Sequence, residues 1–547
     1  MEQTDLPDHV DVVIVGMGPV GSALANLLGL QQTSTLVIDQ ATDIFAAPRA
    51  IALDNEALRI LQMCGLEEGE LDTVAIPEVR MLSPFFGPYS RAVTAGAIDG
   101  HPRLVTFYQP QLEAILRRRV QALDSVCVRL GVELVDLAQT AHGAVVTLRS
   151  RDGAQHRVQA KYVVGADGAG SKVRRSIGLG FEGKTYTEDW LVVDAKNVAD
   201  AIGHVEFICD HRRPTPHMPA PGGRQRWEFK LRPGETREQM EHPDTVRELL
   251  RPWTGDREPA IERVAVYRFH ARIVDRFQAG RVFLVGDAAH ITPPFVGQGL
   301  VAGLRDVANL AWKLAWVLRG QADASVLDSY DIERRPHVRS MIDLARFMGK
   351  LVMPSNGLTA WWTHGLMALA ARVPRLRRLF ENLEIKPPHR FKRGCFVPRG
   401  RVPTLARGGT FPQAWLRTSE NTMRLSDHLL GSGFAILGFG VNPCAGLPAA
   451  LIRAWRSRGA RFVHIHPCGK TAPASSEDAV CEDITGAFMP FVVPLGWIAV
   501  VRPDRIVLHD GPADHRESVL REALRLLSSK AGTDPIANAA SASPVVE

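Results

Sequence analysis

The chain is 547 residues long, 45% hydrophobic and 23% charged, with a net charge of +6. That length suits roughly three to four domains, and that balance excludes a disordered or collagen-like chain. No Lys/Arg block is long enough to argue for nucleic acid and no apolar run reaches the ~18 residues of an integral membrane segment, so the mild basic bias fits at most an anionic substrate or cofactor.

Cys64, Cys127, Cys209, Cys395, Cys444, Cys468 and Cys481 are scattered without a C-x-x-C pair. They read as reduced thiols, with neither a disulfide frame nor a metal site. The start, "MEQTDLPDHV", is polar and acidic and reads as no signal peptide, so the expected compartment is the cytoplasm.

The first element is "DVVIVGMGPVGSALANLLG" (11–29). Val12-Val13-Ile14-Val15 is a buried β-branched strand, and Gly16, Gly18 and Gly21 form G-x-G-x-x-G before a helix. The glycines allow a tight turn, backbone approach to a pyrophosphate and close helix packing, and the helix N-terminus favours phosphate. A second strand, "TLVID", ends in Asp39, whose carboxylate suits ribose hydroxyls. This motif alone does not separate NAD from FAD. "YQPQLEAILRRRVQAL" (108–123) is a helix with Pro110 in its first turn.

"KYVVGADGAGSKVRRSIG" (161–178) is another buried strand with Asp167-Gly168 at its end, followed by Ser171 and Arg174. From about 185 to 270, short segments such as "WLVVDAKNV", "HVEFICD", "RQRWEFKL" and "ERVAVYRFH" predict an antiparallel sheet. "RVFLVGDAAHITPPFVGQGL" (281–300) returns to strand, turn and helix, with a helical apolar stripe at Leu300, Leu304, Val307, Ala311, Leu314 and Leu318. The stretch 358–380, "LTAWWTHGLMALAARVPRLRRLF", predicts a packed helix with an arginine end, and a membrane-surface helix is the alternative. A Gly/Pro/Arg-rich boundary near 395–410 precedes a smaller α/β domain, and the Ala/Ser/Pro-rich end predicts disorder.

The three glycine-rich turns all follow strands, and open α/β sheets bind ligands at strand carboxyl ends. Asp167 and Asp287 there can accept hydrogen bonds from a polyol such as a ribityl chain. The helix N-terminus at Gly297, Gln298 and Gly299 can face a ring carbonyl that gains negative charge. NAD offers neither group, so the combination points to FAD.

With these motifs the sequence resembles the single-component FAD-dependent aromatic hydroxylases, the p-hydroxybenzoate hydroxylase-like flavin monooxygenases. The likeness covers about 10–395, and the tail with "VVRPDRIVLHDG" is similar to the thioredoxin-like domain of the branch acting on phenols and phenylpropanoid acids. The resemblance implies an α/β fold: a discontinuous Rossmann-like FAD-binding domain (1–180 and 270–395), an inserted antiparallel-sheet substrate domain (181–269), a thioredoxin-like domain (400–530) and a disordered tail (531–547).

It also implies roles. Gly16, Gly18, Pro19, Val20 and Gly21 hold the pyrophosphate and Asp39 the adenosine ribose, where the family more often has Glu. Arg49 and Gln109 contact the cofactor. Asp167, Gly286 and Asp287 carry the DG and GD motifs, with Asp287 on the ribityl chain. Pro294 lines the flavin face, and Gly297, Gln298, Gly299 and Leu300 present backbone to the ring. Val296 and Val301 depart from the family's frequent Gly and Asn. His290 reads as structural.

The implied reaction uses NADH or NADPH as a transient co-substrate and O2 to hydroxylate a phenolic acid. The expected substrates are 3-(3-hydroxyphenyl)propionate and 3-hydroxycinnamate, converted to 2,3-dihydroxy products. Another phenol (resorcinol or simple phenol), a non-oxygenating reductase and a redox sensor stay open as alternatives, as does a homo-oligomer. A flavin halogenase is disfavoured because no W-x-W occurs. A base for the phenol is sought among His204, His211, His217, Tyr267 and His270, and an arginine for the acid among Arg212, Arg213, Arg224 and Arg226. No metal is expected.

Overall fold

The computed structural model describes residues 6–45, 50–255, 257–382, 385–398, 405–470 and 479–528. It divides into two compact units. One comprises Met1–Gly29, Ser34–Asp306 and Val338–Pro387, the other Leu30–Thr33, Val307–His337 and Pro388–Glu547. Arg49 and the tail at 531–547 lie outside the described residues.

The first unit is built on a sheet whose parallel strands run Val126–Leu130, Thr35–Asp39, His9–Val15, Gln155–Gly165 and Val282–Leu284. Val12, Val13, Ile14, Leu36, Val37, Val163 and Val164 are fully buried, as expected for strands covered on both faces. Val15 pairs with Ile38 on one side and Gly165 on the other, and Gly165 pairs with Leu284. The glycine turn, the DG turn and the GD turn therefore leave the same end of adjacent strands.

The second sheet of this unit contains Phe181–Lys196, Val205–Ile208, Arg224–Lys230 and Ala260–Val274, as the sequence suggests. It differs from the expectation in three ways. Glu78–Ser83 and Gly87–Val93, from far upstream, extend it, and Thr215–Ala220 adds a strand that its two prolines hid. The sheet is also mixed, because Val205–Ile208 pairs in parallel with Glu78–Ser83. Non-local pairing of this kind leaves no periodic trace in either segment.

The stripe at 300–318 does form a helix, Gly299–Leu318, but nearly all of it is buried. Arg305, Asp306, Asn309 and Lys313 are buried with the apolar residues, and each has a polar partner.

In the second unit, Ala435–Phe439 pairs in parallel with Arg461–Pro467 and antiparallel with Trp497–Val501, which pairs with Val507–Pro512. Helix Ala449–Arg456 links the parallel pair and helix Arg516–Arg525 follows the last strand. That order is the thioredoxin-like arrangement. Ile436, Ile498, Val500, Leu508, Trp455 and Leu520 share one core, and Leu437, Phe439, Val463 and Phe488 the other.

Candidate active site

The turn after His9–Val15 is shaped by what a side chain would hit. A Cβ at Gly16, where φ is +105°, would stand 2.5 Å from the Ala166 carbonyl oxygen, and one at Gly21 would stand 1.9 Å from the Gly16 oxygen. These glycines let the first turn close on the DG turn and on its own helix. Gly18 is different: its φ lies outside the left-handed range, and a Cβ there would meet nothing within 4 Å. The open space is where the second glycine of such a loop lets a pyrophosphate approach. Val20 packs beneath Gly286 and Gly303, where added Cβ atoms would come within 3.1 and 2.6 Å of its methyls. The three motifs thus converge.

Carboxylates stitch the turns. Asp39 accepts from the Met17 N–H at 2.7 Å and the Ala41 N–H at 2.8 Å. Arg117 donates to the Met17 carbonyl at 3.0 Å. Gln109 bridges the Ala50 N–H (3.0 Å) and buried Glu113 (2.7 Å), whose pKa burial raises against the pull of Gln109 and Arg117. Asp167 Oδ2 caps the short helix Lys172–Ser176 through the Lys172 and Val173 N–H groups, while its buried Oδ1 has no partner. Arg174 donates to the Ala288 and Ala169 carbonyls and ties the DG turn to the GD turn. Asp306 accepts from the Gly286 N–H at 3.1 Å and meets His290 Nε2 at 2.6 Å, and both side chains are fully buried. His290 also stacks on Phe277, which makes it structural. Asp287 is half-buried at this turn.

The Pro294–Val296 turn ends at Gly297 with φ +62°. Gln298 is turned inward: its amide contacts Asp54 (3.2 Å) and Arg305 (2.8 Å), so this residue has only its backbone to present. Arg305 also pairs with Asp54 (2.8 Å) and Glu56 (2.6 Å), and Lys386 joins Asp54 at 2.8 Å. Burial would raise the Asp54 pKa, but Lys386 and Arg305 outweigh it and hold the carboxyl below its usual range. A Cβ at Gly299 would meet nothing within 4 Å. Val301 is buried and Val296 half-buried.

The second sheet faces this turn through Trp190 and Phe269, whose rings lie 5.9 and 6.3 Å from that of Phe295. Directly paired residues share a face. Trp190 is opposite Tyr267, Val192 is flanked by Ala265 and Glu228, and Asp194 is flanked by Arg263 and Arg226. Arg226 forms a two-pronged pair with Asp194 at 2.7 and 2.9 Å. Arg263 donates to Tyr267 Oη at 2.8 Å and to Asp194 at 3.3 Å, while its buried Nε has no partner. Burial pushes the Glu228 pKa up, against the attraction of Arg226.

The other candidates fall elsewhere. His217 and His204 share Glu206, and His217 stacks on Trp227, on the face covered by helix Pro243–Thr254. His211 stacks on Phe85, and His270 meets Thr185. Arg212 is paired with Asp210, Arg213 with Glu235 and Arg224 with Glu262. Sequence reasoning missed Asp54, Arg117, Asp194, Arg263, Arg305 and Asp306. The one available signal was charge inside an otherwise apolar helix at 305–306.

Comparison with known proteins decides the family. The family model described as FAD binding domain matches residues 9–345, more than half of the chain. The chain belongs to that family. A second model, HcaD C-terminal domain, matches 408–526. The 3-(3-hydroxy-phenyl)propionate/3-hydroxycinnamic acid hydroxylase of Burkholderia cenocepacia (strain HI2424) is 37% identical over 512 residues, covering 91% of this chain and 93% of that protein. The protein of the same name from Mycolicibacterium gilvum (strain PYR-GCK) is 38% identical, covering 92% and 89%. Among solved structures, the flavin-dependent monooxygenase PieE in complex with FAD and substrate aligns with TM-score 0.80 at 23% identity, over 95% of this chain and all of that one. OxyS anhydrotetracycline hydroxylase from Streptomyces rimosus aligns with TM-score 0.74 at 24% identity, over 95% and 99%. These two share the fold. This member of the FAD-binding family is an FAD-dependent monooxygenase of the aromatic-hydroxylase type.

The residues fit the cofactor: an open approach at Gly18, an orphaned acceptor at Asp167 Oδ1 and open backbone at Gly299. Gly18→Ala is expected to fold normally yet weaken FAD binding by about tenfold or more, because its methyl enters the ligand's space. Gly21→Ala is expected to lose both fold and flavin. Flavin fluorescence titration with thermal melts checks both.

Proposed function

We propose that the chain hydroxylates 3-(3-hydroxyphenyl)propionate and 3-hydroxycinnamate ortho to the phenol, giving 2,3-dihydroxy products, with NADH or NADPH as electron donor and O2 as oxygen source. The observation that carries the substrate is identity of 37 to 38% with hydroxylases so named, across about nine-tenths of the chain. Seven free cysteines suit a reducing, cytoplasmic setting.

In this reading Gly16, Gly18, Pro19, Val20 and Gly21 take the FAD pyrophosphate, Asp39 the adenosine ribose, Arg49 the flavin phosphates and ring, Gln109 a further contact to the cofactor, and Asp167, Gly286 and Asp287 the ribityl region. Pro294, Gly297, Gln298, Gly299 and Leu300 border the ring. Bound FAD would supply the redox chemistry that links NAD(P)H, O2 and the substrate ring. The chain's own residues position and protect. Trp190, Phe269 and Phe295 shut water out, and Arg263 orients the Tyr267 hydroxyl for contact with the phenol oxygen. Drawing off the phenol proton makes its ortho carbon more nucleophilic. The arginine for the acid is sought at Arg263, on the Trp190 face, which touches Asp194 at 3.3 Å but keeps a buried Nε without a partner, and Arg212, Arg213, Arg224 and Arg226 are set aside because carboxylates already hold them.

Oxygen uptake and NADH oxidation with 3-(3-hydroxyphenyl)propionate and with 3-ethylphenol test the reading. The acid is expected to give a kcat/KM at least about tenfold higher and less uncoupled peroxide, since placement of the ring raises kcat as well as binding. Equal kcat/KM and equal coupling would mean that the carboxylate is not read.

A further inference from the structure

The segment expected to be one packed helix is two helices, Gly357–Ala370 and Pro374–Glu381, and little of either is packed. Ala360 and His364 are the buried residues of the first, and the second has none. Leu358, Trp361, Trp362, Leu366 and Leu369 recur at helical spacing and share one face. That face is open: Leu358 is 69% exposed, Trp362 64%, Leu366 67% and Leu369 58%. Val373, Leu376 and Leu379 continue the exposed apolar strip. A contiguous patch of this kind on a folded chain marks an interaction surface.

Its rim is basic. Arg372, Arg375 and Arg378 are exposed and have no acidic partner among the described residues. The arginines lining the neighbouring cavity differ. A cavity of about 420 Å³ beside strands Glu78–Ser83 and Gly87–Val93 is lined by Arg80, Arg91 and Arg377, and each is paired with Glu78 or Glu381.

We infer that this helix pair docks on the surface of an anionic phospholipid bilayer, with Trp361, Trp362 and the leucines in the headgroup–acyl boundary and Arg372, Arg375 and Arg378 on lipid phosphates. Trp and Leu on one face with arginine alongside is the composition of an interfacial helix. Among the described residues no helix is long and apolar enough to cross a membrane, so the attachment is peripheral. A second copy fits less well. An isologous contact sets the patch against itself, and Glu381, the acid on these helices, is already shared by Arg91 and Arg377. An anionic leaflet supplies both an apolar layer and the missing negative charge.

The test is co-sedimentation of the FAD-loaded enzyme with vesicles of equimolar phosphatidylglycerol and phosphatidylcholine, and with pure phosphatidylcholine. Binding is expected to the anionic vesicles, to weaken in high salt, and to be much lower on the neutral ones. The pair Trp361→Ser/Trp362→Ser and the triple Arg372→Glu/Arg375→Glu/Arg378→Glu are each expected to cut bound protein by about tenfold or more, with flavin content unchanged. The inference is overturned if the wild type ignores anionic vesicles, or if the triple variant binds them equally. It is also overturned if light scattering finds a dimer that the tryptophan pair converts to monomer.

Discussion

Glu333→Ala is expected to cost the second compact unit about 3–5 kcal/mol, the penalty of stranding buried charge. The Glu333 carboxylate accepts from Arg502 at 2.7 and 3.0 Å, Lys313 at 2.9 Å, Asn309 at 2.6 Å and the Cys395 N–H at 2.7 Å. The Arg502, Lys313 and Glu333 side chains are all fully buried. Burial would raise the Glu333 pKa, yet Arg502 and Lys313 hold it far below the carboxylate range, while burial pulls Lys313 down. Removing the carboxylate leaves two cations, Lys313 and Arg502, against the single carboxylate of Asp504 in a dry interior. Against a total stability of about 5–15 kcal/mol, such a loss is a large fraction. Because the folded pKa is depressed, the stability it brings is full above the unfolded value of about 4.3 and is lost as pH falls below it. Urea melts of wild type and variant across pH 3 to 7 check this. The gap should be widest near neutrality and narrow as pH falls below about 4.3. Replacing Glu333 and Lys313 together by Leu and Met should cost far less than Glu333→Ala, since Arg502 then keeps Asp504 as its buried partner and no charge is stranded.

Asp306→Ala is expected to give a protein that folds poorly and purifies without flavin. It strands the Gly286 N–H and the His290 ring in the core, at about 1–3 kcal/mol each. Gly286 begins the GD turn, so the defect moves the turn and not only the residue. Asp287→Ala provides the contrast. That side chain is half-buried, so the variant should melt near the wild type while losing most of its FAD. Absorbance ratios at flavin and protein wavelengths, with thermal melts, separate the two. An Asp306→Ala protein that keeps flavin and stability would refute the anchoring role.

The parts of the site legible in the sequence were those where backbone decides chemistry. Gly16 and Gly21 stand where a Cβ would collide with Ala166 or Gly16, and that demand shows as glycine at fixed spacing. The strands before them were legible because both faces are buried. The charged anchors were not. Asp54 meets Arg305 and Lys386 from hundreds of residues away, and Asp194 looks like any strand aspartate until Arg226 and Arg263 close on it. Four arginines were legible as a supply, but their partners were not, and Asp210, Glu235, Glu262 and Asp194 already hold them. The exposure of Trp362 and Leu366 was invisible because a packed helix and an open one share the same composition.

Oxygen-isotope labelling tests the central claim most directly. The enzyme, NADH and 3-(3-hydroxyphenyl)propionate are incubated under ¹⁸O₂, and the product is weighed by mass spectrometry. A hydroxylase is expected to give a dihydroxy product carrying one labelled oxygen, on the carbon ortho to the original phenol. NADH oxidation that yields only hydrogen peroxide, or a product whose new oxygen comes from water, would contradict it.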